Sequence, residues 1–494
     1  MTEYEAVIGL EVHSQLLTRS KMFCSCRADY VQAQPNTRVC PVCLGMPGVL
    51  PVINRQAVEF VIMTGLALHS QIAEYTKFDR KNYPYPDLMK GYQISQYDEP
   101  ICRGGYLEIE VDGQRKRIGM TRVHLEEDVA KLQHLTDPVT SDTYSLVDVN
   151  RSGIPLMEIV GEPELRSPEE ARLYLVKLRA ILQYLGVSTG NMEEGSFRCD
   201  ANVSVRPRGS TQLLGKVEVK NMNSFRAVYR ALQYEVERQV RMVKEGQRVP
   251  QETRGWVEER GETVAQRSKE YAHDYRYFPE PDLPPMVISR EWVERIRERL
   301  PELPEARRER FMAHYGLPAY DAGLLTASRA TADFFEATVG KAPREDEALR
   351  RRAKAASNWV LGDLTHLLHL HSIELEAAQV RPQHLAELLD LLDQGTIGTP
   401  QAKTVLEDMF ATGKPPSLVV AEKGLAQISN TADIEPVVAE AIEKNQQAVQ
   451  DYLKGKDAAV KFLVGQVMKA TRGKANPSLV QDLIQKRLEA MRSN

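Results

Sequence analysis

Two hydrophobic rhythms run along this chain, and they change over near residue 290. Before it, apolar and polar residues alternate in short runs broken by turn signals. After it, apolar residues recur every three or four positions between Pro and Gly breaks, as in SNWVLGDLTHLLHL and PQHLAELLDLLDQG. Period two marks a strand whose side chains project to opposite faces; the longer spacing marks a helix with one apolar stripe. The pattern predicts an α+β protein: a sheet-rich domain over residues 1–292, a helical domain over 293–410 and a small helical tail over 411–494. PEPDLPP (279–285) announces the first boundary, and GKPPSL, from Gly413, reads as a linker into the last unit, where NPSLVQDLIQKRLEAM is amphipathic.

Within the first domain two helices stand out. Ser167-Pro168-Glu169-Glu170 is a capping box with Pro at the first helical position, and Gly186 ends that helix. Phe225, Val228, Leu232, Val236, Val240 and Val243 form one stripe of a second. The strands sort their residues by face. In EAVIGLEVHSQ, Ala6, Ile8, Leu10 and Val12 share one side, and Gly9, Glu11, His13 and Gln15 the other. In GSFRCDANVSVRP, Arg198, Asp200, Asn202, Ser204 and Arg206 oppose an apolar set, and GKVEVKN turns Lys216, Glu218 and Lys220 away from Val217 and Val219. The short connection between these two predicts a hairpin with one charged face. TRVHLEED adds Arg122, His124 and Glu126 on one face, with Glu127 and Asp128 running past the expected strand end.

Composition narrows the class. A chain of 494 residues allows two or three domains, and 42% hydrophobic with 27% charged residues is ordinary for a globular protein. The N-terminus carries two acids and no basic run, which argues against a signal peptide. No apolar run approaches the ~18 residues of a membrane span. Six cysteines do not make a disulfide scaffold, so a reducing, cytoplasmic setting is expected. The net charge of −4 excludes a uniformly basic nucleic-acid binder, although the segment from Asp457 onward carries seven Lys or Arg against three acids.

The polar sheet face offers His, Asp, Asn, Ser and Arg rather than the Lys/Glu/Thr mixture of a face turned merely to water. Carboxylates with one imidazole suit Mg²⁺, which shares its shell with phosphate oxygens, and Arg198, Lys216 and Lys220 are cations for a nucleotide such as ATP. Neither a P-loop nor a strand-borne GxGxxG is present, so nucleotide chemistry here requires another platform. KFDRKNYPYPDLMKGYQISQYDEP (77–100) sets four tyrosines beside Arg80, Lys81 and Lys90, a composition suited to an exposed loop or to stacking on a polar substrate or nucleic-acid end. HDYRYFPEPDLPP (273–285) places Arg276 among aromatics. Cys24, Cys26, Cys40 and Cys43 have the spacing of a zinc knuckle, although Cys24-x-Cys26 is tighter than usual. Four thiolates would close the zinc shell, so the reading is structural. His366 and His369, three apart on a helix, read as surface residues.

Taken together, VIGLEVHSQL, PGVLPVIN, FDRKNYPYPDLMKGYQISQ, HLEEDVAKL, LVDVNRSGIPLMEIV, EEGSFRCDANVSVRP, VEVKNMNSF, DYRYFPEPD and FLVGQVMKATRGKANPSLV resemble the B subunit of the heterotrimeric aspartyl/glutamyl-tRNA amidotransferase, in order over nearly the whole chain. The resemblance implies a cradle-shaped catalytic domain followed by helical modules that grip tRNA. The implied reaction has ATP phosphorylate the side-chain carboxylate of Glu on tRNA(Gln), or of Asp on tRNA(Asn). Ammonia from a partner amidase-like A subunit then displaces the phosphate, and a small C subunit ties the two chains together. It further implies metal or nucleotide roles for Glu11, His13, Glu126, Glu127 and Glu218, with Glu126 and Glu127 both candidates for the acid of the HLEED stretch. Lys81 falls at the implied ammonia exit, and Arg198, Asp200 and Lys220 at phosphate and metal. Family members without the cysteines keep the PGVLPV segment, which leaves the thiols outside the reaction. Two rival readings stand beside this one: an ATP-dependent amide ligase for a free amino acid, and a non-catalytic zinc-containing RNA-binding protein.

Overall fold

A computed structural model of the chain describes residues 3–268, 275–340, 347–426, 431–453, 456, 458–471 and 474–493. His273 and Asp274 of the aromatic segment, with Asp457 and Arg472 of the basic tail, lie outside them. Two compact units result, residues 1–303 and 304–494. The first is organised by a mixed sheet and the second is helical.

The strands that carry the first unit are β1 (Tyr4–Gln15), β2 (Asp79–Asn82), β3 (Tyr92–Ser95), β4 (Gln114–Glu127), β5 (Pro155–Gly161), β6 (Phe197–Pro207), β7 (Val217–Lys220), β8 (Glu252–Val257) and β9 (Glu262–Ser268). In the large sheet they run in the order β9-β8-β7-β6-β1-β5-β4, with short strands beyond β4, so β1, the first strand of the chain, lies in the middle. β2 and β3 pair with each other beside it. Neighbours are antiparallel except β7 and β8, which are parallel and joined by a helical crossover. The expected hairpin of β6 and β7 forms, pairing Ala201 with Val219 and Asn202 with Glu218.

Helices cover one face of this sheet: α1 (Arg55–Ala67), α2 (Pro168–Leu185) and α3 (Phe225–Lys244), followed later by α4 (Arg290–Arg297). Their apolar sides pack on Ile8, Leu10 and Val12 of β1, Val123 and Leu125 of β4, Ile159 of β5 and Val203 of β6. Each helix starts where the sequence supplies a cap. Ser167 Oγ accepts from the Glu170 amide at the head of α2, Ser224 Oγ from the Ala227 amide at the head of α3, and Asn54 caps α1. Gly186 closes α2 in the left-handed conformation at φ 68°. In the expected capping box, Glu170 accepts from the Arg166 amide rather than from that of Ser167.

Packing, rather than the first helical rhythm, decides where the units end. The expected boundary at 292/293 falls inside α4, whose Ile296 is buried in the first core, so the first unit continues to Leu303. The 410/411 boundary likewise falls inside a helix, Thr399–Thr412. GKPPSL is a tight turn rather than a linker: Gly413 is left-handed at φ 69°, Pro416 opens the helix Pro416–Lys423, and Val419 and Val420 pack into the core of Phe311 to Phe410. A separate core begins at Ile434 and ends on Val480, Ile484 and Leu488 of the helix Pro477–Ser493, the amphipathic stretch read from the sequence. His366 and His369 are exposed. Among the described residues, no helix is long and apolar enough to cross a membrane.

Candidate functional site

The face of the sheet opposite the helices carries a row of polar side chains, and register sets their neighbours. His13 of β1 pairs with Glu158 of β5, which pairs with His124 of β4. On the other flank Glu11 pairs with Asp200 of β6, and Asn202 with Glu218 of β7. Strands two places apart thereby bring together residues more than a hundred positions apart in sequence.

Three donors converge at the centre. His13 Nε2 lies 3.2 Å from Glu158 Oε2 and 3.7 Å from Glu126 Oε1. One ligand atom from each of the three falls within 4.8 Å of the others. His124 backs them, with Nε2 at 3.6 Å from Glu158 and 3.9 Å from Glu126, and receives a hydrogen bond on Nδ1 from Arg122 Nε. Ser95 Oγ donates to Glu126 Oε2 at 3.2 Å. Glu126 and Glu158 are nearly shut off from water, at 2% and 8% side-chain exposure, so their charges act at short range in a poorly screened space.

The protonation states follow. Burial alone would depress His13, but its hydrogen bond to Glu158 and the charges of Glu158, Glu126 and Asp200 raise it to about 8. Burial drives His124 the other way, to about 4, against the pull of Glu158. Burial would raise Glu158, but the charge of His124, the hydrogen bond and charge of His13 and the charge of Lys81 together hold it well below the usual carboxylate range. Burial lifts Glu126 despite Lys81 and His13, and Glu158 adds to the lift. Lys81 itself is kept charged: the cost of burial is outweighed by Glu126, Tyr277 and Glu158, and its Nζ sits 5.0 Å from the centroid of the Tyr275 ring.

A second acidic group adjoins the first. Lys220 Nζ bridges Asp200 Oδ2 at 2.6 Å and Glu218 Oε1 at 3.2 Å, while Thr253 Oγ1 donates to Glu218. Glu11 accepts from Asn202 Nδ2 at 3.0 Å, and its carboxyl is raised by burial and by the charges of Glu158, Asp200 and Glu218. Acids outnumber cations here, which is the electrostatic condition for an added cation.

Three expected residues stand apart. Glu127 is the last residue of β4, not beyond it, and alternation turns it away from Glu126. Its Oε1 accepts from Lys90 Nζ at 2.5 Å and the Ile94 amide at 3.1 Å, in a cavity of about 230 Å³ shared with Cys24 and Cys43. Arg198 does not join Asp200 and Lys220; it pairs with Asp128 Oδ2 at 3.1 Å, which also accepts from Gln15 at 2.7 Å. Lys216 is exposed. Glu158 and His124 are central to the cluster; alternation sets His124 on the face of Glu126 but does not assign Glu158. The available signal was a lone acid in the otherwise apolar strand PLMEIVG.

The cysteines gather as their spacing suggested: Sγ atoms of Cys24, Cys26, Cys40 and Cys43 lie within 4.8 Å of one another. Cys43 is held down to about 4, chiefly by the hydrogen bond from Cys24 and also by the Lys21 ammonium, while Cys24 is raised by that same bond. Lys21 is wholly buried and donates to the Val149 carbonyl at 3.3 Å. A buried ammonium beside four thiols fits a group that gains negative charge as a metal replaces its protons.

Residues 6–294 match the GatB/GatE catalytic domain, and residues 333–488 match the GatB domain. The chain is 57% identical over 491 residues to the aspartyl/glutamyl-tRNA(Asn/Gln) amidotransferase B subunit of Dehalococcoides mccartyi strain CBDB1, covering 99% of this chain and all of that one. It is 59% identical over 486 residues to the protein of the same name from Moorella thermoacetica, covering 98% and 100%. The one from Thermomicrobium roseum is 56% identical over 487 residues, with 99% of each chain covered.

Proposed function

The chain belongs to the family of aspartyl/glutamyl-tRNA(Asn/Gln) amidotransferase B subunits, and from that premise we propose that His13, Glu126 and Glu158 form its divalent-metal centre. The enzyme is a multi-subunit, ATP-dependent amidotransferase that converts misacylated Glu-tRNA(Gln) or Asp-tRNA(Asn) to the amide. One observation carries the site assignment: an imidazole and two buried carboxylates from three adjacent strands converge within 4.8 Å. Oxygen donors with one imidazole suit Mg²⁺, and such an ion would neutralise charge on a transferring phosphoryl group.

The chain's own residues supply the rest. Glu11, Asp200 and Glu218 outnumber Lys220, which sits between the last two, so they would hold a cation for the phosphate side rather than the phosphate itself. The Lys81 ammonium faces the entering ammonia beside Glu126; as nitrogen replaces the phosphoryl oxygen on the acyl carbon, the phosphate departs and takes up the proton that nitrogen sheds. Glu127 serves indirectly by fixing Lys90, and Arg198 by fixing Asp128. Cys24, Cys26, Cys40 and Cys43 hold a structural Zn²⁺. The partners are an amidase-like A subunit that releases ammonia, a small C subunit, and the tRNA body, gripped by the helical modules.

Mn²⁺ titration followed by electron paramagnetic resonance tests the centre. Wild-type chain should bind the ion, and Glu158→Gln and His13→Gln should lose it while folding normally. Binding undiminished in both variants overturns the assignment. In the assembled enzyme ATP turnover should require the aminoacylated tRNA; equal stimulation by free glutamate would instead favour the amide ligase.

A further inference from the structure

Two tyrosines of the 77–100 segment, Tyr83 and Tyr97, remain unused by this chemistry, and the fold gathers them with those of residues 275–277. Tyr97, just beyond β3, stacks on Tyr277 with ring centroids 4.3 Å apart and planes within 10°. Tyr275 meets Tyr277 edge-on at 6.0 Å and Tyr83 at 5.7 Å, so four rings line one wall. That wall stands at the acid cluster. The charges of Lys81, Glu126 and Glu158 act on the Tyr277 hydroxyl, which burial pushes up to about 12, and Lys81 lies over Tyr275.

The stack ends in the open. One face of Tyr97 is covered by Tyr277, yet 53% of the residue remains exposed. The geometry is also held at a cost. Arg276, between the two tyrosines, adopts φ 44°, a conformation that non-glycine residues rarely take. Asn82 fixes this bend: its amide donates to the Tyr275 carbonyl at 2.9 Å, and its side chain to the Arg276 carbonyl at 2.9 Å. Strained backbone anchored to present two rings, one of them stacked and half exposed, is the construction of a recognition surface.

What it recognises follows from the charges around it. Lys77 is bound to Asp79 and Asp98, each at 2.5 Å, and Arg103 is paired with Glu99. These committed cations leave the strand end suited to a flat, uncharged ring rather than a phosphate. We infer that the Tyr97–Tyr277 stack is a platform for an unpaired adenine base, which stacks on the open face of Tyr97 at the mouth of the acid cluster. The inference rests on reading that cluster as the reaction centre, whose two substrates both carry adenine: the nucleotide and the 3′ end of the acceptor strand.

Two probes separate the sources, 2-aminopurine riboside triphosphate and a CC-(2-aminopurine) trinucleotide, each titrated against the full chain by fluorescence quenching. Tyr97→Ala should weaken one of them roughly tenfold or more, the usual effect of removing one stacking ring, and Tyr97→Trp should restore it. Tyr277→Leu should weaken the same probe less. Loss confined to the trinucleotide assigns the platform to the acceptor end, and loss confined to the triphosphate assigns it to the nucleotide. Wild-type affinity of Tyr97→Ala for both probes overturns the proposal. The metal reading is scored separately: in Glu158→Gln, which should lose Mn²⁺, phosphate-free 2-aminopurine riboside should still show Tyr97-dependent quenching, so either reading can fail without the other.

Discussion

Two clusters in the first unit bring ligand atoms within 4.8 Å, and they are built in opposite ways. The four cysteines sit on loop backbone within twenty residues of one another, and four soft donors fill a tetrahedral shell completely. His13, Glu126 and Glu158 come from three strands up to 145 residues apart, and two carboxylates with one imidazole would leave an octahedral shell half open. A closed shell holds a loop in place. An open one on a rigid sheet has room for substrate oxygens, with the donors fixed by backbone pairing before any ion arrives.

The largest expected effect follows from the open shell. Glu158→Gln should lower transamidation by roughly a hundredfold while leaving the melting temperature close to wild type, measured on the assembled enzyme. If the Cys40→Ser/Cys43→Ser pair matched that loss in a fully folded protein, the contrast would collapse. The pair is expected instead to release zinc and lower the thermal midpoint by roughly 5–10 °C, with the Mg²⁺ dependence of the surviving activity unchanged.

A smaller effect sharpens the electrostatics. His13 is raised from 6.5 to about 8 in the folded state, so the unfolded chain releases its proton first as pH rises. Its stabilising contribution is complete below pH 6.5 and is lost as pH climbs through 8. Metal-free protein should therefore lose about 2 kcal/mol of urea stability across that range, and His13→Gln should flatten the profile. A slope that persists in the variant would locate the titration elsewhere.

The smallest concerns Glu127. Glu127→Gln removes a buried partner of Lys90, and should cost about 1–3 kcal/mol of stability with Mn²⁺ affinity unchanged within about twofold. An affinity loss equal to that of Glu158→Gln would make Glu127 a ligand and redraw the site.

Much of this was readable from residue order. Alternation put Glu11, His13 and Glu126 on polar faces, Ser167 and Gly186 bounded α2, and the cysteine spacing described a cluster that the structure assembles. Glu158 escaped because a single acid in PLMEIVG carries no period of its own, and alternation set His124 beside Glu126 without revealing which acid of another strand it would meet. The boundaries read at 292/293 and 410/411 fall inside helices for a related reason. Helical rhythm tells where a helix runs but not which core it packs against, and α4 packs on the first.

Sequence alone thus determined what is local: secondary structure, helix caps, the face each strand side chain takes and the reach of the cysteine loop. These depend on dihedral preferences and on contacts within a few residues. Tertiary structure alone decided that β1 lies between β5 and β6, and so that His13 meets Glu158 while Arg198 meets Asp128. Strand order and register are set by packing the whole apolar face against α1, α2 and α3. No single strand records which polar residues that packing will bring together.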